Sequence, residues 1–201
     1  LQLIYRGESL ENIQPIRLRL DSSGIALRQL DLGSEAIRVF ASGTRSVDGR
    51  NDFSLYADSL DVAAVEYLLT GDGAAADRKS FTGIGFVEAN VGGSDDDPLL
   101  AVHVYIDSIG YRGATFGEMT LESRYALGKL EMYSELTYLS PAGKRENVFF
   151  VSGSVPLALG SEGEVRAAED ASANLRLRMQ EFPLPLIEDF LGLFSPLNGY
   201  A

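Results

Sequence analysis

The chain has one histidine, His103, and no cysteine, so the side chains that most often do chemistry are nearly absent. Imidazole is the usual acid–base group and a common metal ligand, but it works with partners. His103 lies in the run V-H-V-Y-I-D, with Tyr105 and Asp107 on its own strand parity and Val102 and Val104 on the other. It is expected to be an ordinary exposed strand residue. No second histidine or thiol can complete a triad, and no G-x-S-x-G is present. Asp95-Asp96-Asp97 lacks the D-x-D-x-D-G spacing and distal Glu of a calcium loop, and is expected to be solvated, as are Glu162, Glu164, Glu169 and Asp170. Gly83-x-Gly85 sits inside a strand pattern with no helix after it, which suits a bulge or a close backbone approach better than a phosphate loop. Arg176 and Arg178 alternate on a wet strand face. No catalytic residue, metal ligand or cofactor is assigned, and the chain is expected not to be an enzyme.

The bulk numbers bound the remaining classes. At 201 residues the chain can bury a sizeable core, and its Gly and Tyr content suits a β-rich globular protein. A net charge of −12 argues against nucleic acid and against docking on anionic lipid heads, but not against a site for acyl chains. With no long apolar run and no initiating Met, the chain is expected to be an internal segment of a longer protein.

Strand periodicity dominates. Ile16, Leu18 and Leu20 alternate with Arg17 and Arg19, and Ile37, Val39 and Ala41 share a parity, as do Phe53, Leu55 and Ala57. Later strands are expected over 81–90, through Leu100, Val102, Val104 and Ile106, over 148–159 with Phe149, Val151 and Val155 on one side, and over 171–179 with Leu175 and Leu177 opposite Arg176 and Arg178. Loops are expected over 72–80, 92–98, 140–147 and 160–170, with a kink around Gly110 to Gly117.

The clearest pattern runs from Glu118 to Tyr138. Met119, Leu121, Ser123, Tyr125 and Leu127 share one parity, which flips after Gly128-Lys129 to Leu130, Met132, Ser134, Leu136 and Tyr138. A Gly-first two-residue loop suits a type II′ turn. Closing the hairpin there sets Leu127 opposite Leu130, Tyr125 opposite Met132, Ser123 opposite Ser134 and Leu121 opposite Leu136, with both apolar rows on one face.

Two short amphipathic helices are expected, at 61–69 and 184–194. Val62, Val65, Leu68 and Leu69 have helical spacing, and so do Leu184, Ile187, Phe190, Leu191 and Phe194. Each follows an alternating strand, which divides the chain into approximate repeat units, 1–71 and 81–199, each ending in a helix.

These segments, L-D-V-A-A-V-E-Y-L-L-T-G at 60–71, F-P-L-P-L-I-E-D-F-L at 182–191, the run I-D-S-I-G-Y-R-G-A-T-F-G-E-M-T-L-E-S-R-Y-A-L-G-K-L and V-S-G-S-V-P-L-A-L, resemble the TamB/AsmA-like envelope proteins of Gram-negative bacteria over most of residues 50–201. The resemblance implies an all-β, mainly antiparallel fold: a U-shaped β-taco or elongated curved sheet with an apolar interior and two short helices. It implies a periplasmic segment of a protein anchored in the inner membrane, non-enzymatic and without cofactor. Its groove would serve phospholipid transport or outer-membrane assembly, with phospholipid acyl chains as ligand and an outer-membrane barrel assembly protein as partner of the full-length chain. The groove lining would be Val102, Val104, Ile106, Met119, Leu121, Tyr125, Leu130, Met132, Leu136, Val151, Leu175 and Leu177. The alternatives are a structural or adhesive β-repeat module with a filled core and a protein partner, and a lipid-modifying or carbohydrate-active enzyme whose paired carboxylates the sequence does not bring together.

Overall fold

The computed structural model describes residues 2–5, 8–34, 37–62, 81–111, 114–139, 145–159, 165–167 and 172–180. Among the described residues, fourteen strands join in one open, curved, antiparallel sheet. In chain order they are β1 (Gln2–Tyr5), β2 (Glu8–Asn12), β3 (Arg17–Asp21), β4 (Gly24–Gly33), β5 (Arg38–Ser46), β6 (Asn51–Asp61) and β7 (Phe81–Gly93). They continue as β8 (Pro98–Tyr111), β9 (Ala114–Thr115), β10 (Met119–Ala126), β11 (Lys129–Leu139), β12 (Arg145–Leu159), β13 (Val165–Ala167) and β14 (Asn174–Met179). The sheet order is β1-β2-β4-β5-β6-β7-β8-β10-β11-β12-β13, with β3 on β4, β9 on β8 and β14 on β12. Consecutive strands are mostly neighbours, because a two-residue turn or short loop lets an antiparallel strand return beside its predecessor.

Several boundaries differ from the sequence reading. β12 begins at Arg145, inside the loop expected over 140–147, and β13 occupies part of the acidic loop expected over 160–170. Both segments gain ladder hydrogen bonds from a neighbouring strand, which their loop-like composition does not reveal. The helix expected over 61–69 lies outside the described residues apart from Asp61, which closes β6, and Val62, which packs against the main buried cluster. The helix expected over 184–194, and with it the end of the second repeat unit, lies wholly outside them.

The hairpin is a correction. Tyr125 pairs with Leu130, Ser123 with Met132, Leu121 with Ser134 and Met119 with Leu136. The loop is therefore Leu127-Gly128, one residue earlier than expected. Both loop residues have positive φ, 52° and 71°, which is a type I′ turn in place of type II′. Its twist matches that of the strands, and it leaves Gly at the second position where a positive φ costs least. The pairing moves by two residues, an even number, so every side chain keeps its face.

Gly85 and Gly153 mark close approaches of neighbouring backbone. A Cβ on Gly85 would collide with the Tyr105 carbonyl oxygen, and one on Gly153 with that of Asn174, so a side chain at either position would force the strands apart. Gly83 falls at a register irregularity between Thr82 and Ile84, which fits a bulge.

Candidate functional site

Antiparallel pairing sets directly opposed residues on the same face. Following the register across nine strands, one row reads Leu32, Val39, Ala57, Val87, Val104, Leu121, Ser134, Val151 and Leu177. The next row on the same face is Leu30, Ala41, Leu55, Ala89, Val102, Ser123, Met132, Gly153 and Leu175. Beyond it come Leu18, Leu27, Gly43, Phe53, Val91, Leu100, Tyr125, Leu130 and Val155. On the other side of the first row stand Leu60, Gly85, Ile106, Met119, Leu136, Phe149 and Met179. None of these four rows contains a charged residue. All twelve residues expected to line a groove fall on this one face.

Burial along the face is uneven. Ile106 and Leu136 join Ile109, Val148 and Phe149 in a buried cluster near one end, and Leu10, Leu32 and Ile37 form a second cluster beside β4. Tyr125 is also buried, its hydroxyl donating to the Leu157 carbonyl at 3.2 Å. Val102, Val104, Met119, Leu121, Leu130, Met132 and Val151 are half-buried. At the flanks the face is open: Leu175 and Leu177 on β14 are each 54% exposed, and Leu18 on β3 is 65% exposed. Among the described residues no second sheet lies over it.

Polar residues interrupt the face at a few points. Besides the half-buried Ser123, Ser134, opposite Leu121, is buried and its Oγ has no hydrogen-bond partner among the described residues. At the margin, Arg45 of β5 donates to both Asp95 carboxylate oxygens at 2.9 and 2.7 Å, and also to Asn51 Oδ1. The guanidinium holds the Asp95 carboxyl below the usual carboxylate range. Asp95 is thus a tie between β5 and the β7–β8 loop and not simply part of a solvated run. Strand alternation could not show it, because the two residues are 50 positions apart.

The opposite face is polar but carries aromatic rings. His103 lies there half-buried, edge-on to Phe86 with ring centroids 5.3 Å apart, and paired with Glu88 on one side and Glu122 on the other. His103 is therefore less exposed than the sequence reading expects, and its register neighbours Glu88 and Glu122 come from the strands on either side of it. Arg176 and Arg178 stand on this same face, in register with Ser152 and Phe150. No group of three or more His, Cys, Asp or Glu among the described residues is placed to hold a metal ion. Glu162, Glu164, Glu169 and Asp170 lie outside those residues.

No family model, no curated protein and no solved structure matches the chain.

Proposed function

We propose that the apolar face is a groove for phospholipid acyl chains, in a non-enzymatic periplasmic segment of TamB/AsmA-like kind that serves lipid transport or outer-membrane assembly. The observation that carries this reading is the row from Leu32 to Leu177, eight apolar residues and Ser134 across nine strands. At the usual strand spacing the row spans about 38 Å of sheet. Large apolar surfaces left open to solvent mark sites for apolar ligands or partners. Each buried methylene contributes about 0.8 kcal/mol, so roughly twelve of them supply about 10 kcal/mol before the costs of association. Such binding needs no directional group, which suits a face defined by pattern. The test is native mass spectrometry of the purified chain: bound phospholipid at near-stoichiometric level is expected, and lipid-free protein that also fails to take up added phospholipid would refute the reading.

The buried clusters favour a second reading, in which this face is largely a filled core and the chain is a structural or adhesive β-repeat module. A chain that stays folded without lipid and excludes apolar dyes from the Leu121 face would support it.

A further inference from the structure

Away from the apolar rows, one line of paired residues reads Tyr56, Glu88, His103, Glu122 and Tyr133 across five neighbouring strands. A carboxylate flanks the imidazole on each side, and a phenol ring stands outside each carboxylate. With strands spaced about 4.8 Å apart, the two carboxylate positions are about 10 Å apart and the whole line about 19 Å long. Phe86 gathers Tyr56, His103 and Tyr105 around it at centroid distances of 6.0, 5.3 and 5.6 Å, while Tyr133 meets Phe150 edge-on at 5.4 Å. Between these two groups of rings lies a shallow depression of about 480 Å³, bordered by Glu88, His103, Glu122, Arg124 and Tyr133.

Two of the rings on this face are open to solvent, Tyr56 at 40% and Tyr133 at 36% exposed. The charges nearby are unevenly matched. Glu131 is held by Lys129 at 2.9 Å, and Glu135 accepts the Tyr133 hydroxyl at 2.6 Å. Among the described residues, Glu88 accepts only from the Asn90 amide, at 3.2 Å, and neither it nor Glu122 is in an ion pair, although Arg124 borders the same depression two residues along β10 from Glu122. A planar guanidinium satisfies both parts of such a surface, donating in plane to a carboxylate while its face lies on an aromatic ring.

We propose that this line is a docking surface for an arginine-bearing segment of a protein partner, with guanidinium groups set against Glu88 and Glu122 and stacked on the flanking tyrosines. The chain's net charge of −12 favours a basic partner and repels nucleic acid. A line 19 Å long, with a ring at either end, offers more than a single small cation can cover. Because the surface lies on the face opposite Leu121, it is independent of the acyl-chain groove.

The test is calorimetric titration of the folded chain with a capped tetra-arginine peptide, a capped tetra-lysine peptide and spermidine. Tetra-arginine should bind most tightly, because lysine supplies the charge without the stacking. Glu122→Gln and Tyr133→Leu should each weaken it about tenfold, and Asp96→Asn, a charge change in the remote β7–β8 loop, should leave it unchanged. His103→Arg, which places a guanidinium between the same carboxylates from within, should also weaken it. Equal binding of the two peptides, spermidine binding as tight as tetra-arginine, no binding at all, or an equal loss from Asp96→Asn would each overturn the proposal. The last would show diffuse electrostatic attraction in place of a site.

Discussion

Tyr125 stands directly opposite Leu130 and sends its hydroxyl to the Leu157 carbonyl, joining β10, β11 and the end of β12 at one corner of the sheet. That pairing exists because Leu127 and Gly128, not Gly128 and Lys129, form the turn. Leu127 is left 84% exposed at a φ of 52°. A left-handed conformation costs an ordinary L-residue about 1–2 kcal/mol, and Asn tolerates it better. Leu127→Asn should therefore stabilise the chain by about 1 kcal/mol, read as a higher urea midpoint. A lower midpoint would mean that Leu127 packs against something in solution.

Ser134 is the one polar member of the row from Leu32 to Leu177, and its hydroxyl is buried with no hydrogen-bond partner among the described residues. An unsatisfied buried hydroxyl costs more than its absence. Ser134→Ala should be neutral or stabilising by about 1 kcal/mol in chemical denaturation. A clear loss of stability would show that the hydroxyl has a partner after all.

Gly153 lies where β14 rests against β12, at a φ of 152°, and an added Cβ would collide with the Asn174 carbonyl oxygen. Gly153→Ala should loosen β14. Amide exchange should rise over 174–179 while β10 and β11 keep their protection. Unchanged exchange at β14 would contradict this placement.

Asp31 is 1% exposed, and Arg38 donates to both of its oxygens at 3.0 and 2.8 Å. Those bonds hold its carboxyl below the usual carboxylate range. A lowered folded value means the pair stabilises the chain above the ordinary carboxylate range, and this contribution is lost as pH falls through the lowered value. Arg38→Met leaves the carboxylate buried and unpaired, so the variant should be most destabilised near neutral pH and approach the parent in acid. A stability difference that does not change with pH would refute the linkage.

Much of the sheet was legible because its side-chain period is two: Val102, Val104, Leu121 and Met132 reveal their common face through alternation alone. The hairpin's face was legible for the same reason, whereas its turn was not. Gly128 suits either loop, and the choice between them depends on twist and on what Tyr125 meets across the sheet. The Arg45–Asp95 tie spans 50 positions, and the line through His103 depends on the register of five neighbouring strands, so no local pattern announces them. Tyr56, Glu88, Glu122 and Tyr133 each look like an unremarkable wet-face residue until the register aligns them.

The most direct test of the acyl-chain groove is site-specific photocrosslinking in cells, with the photoreactive residue at Leu121 or the open Leu177 and, as the opposite-face control, at Glu122, Arg124 or Glu135. The account predicts phospholipid adducts from the Leu121 and Leu177 positions and none from the controls. Adducts confined to the Glu122, Arg124 and Glu135 positions, or absent from all five, would contradict it.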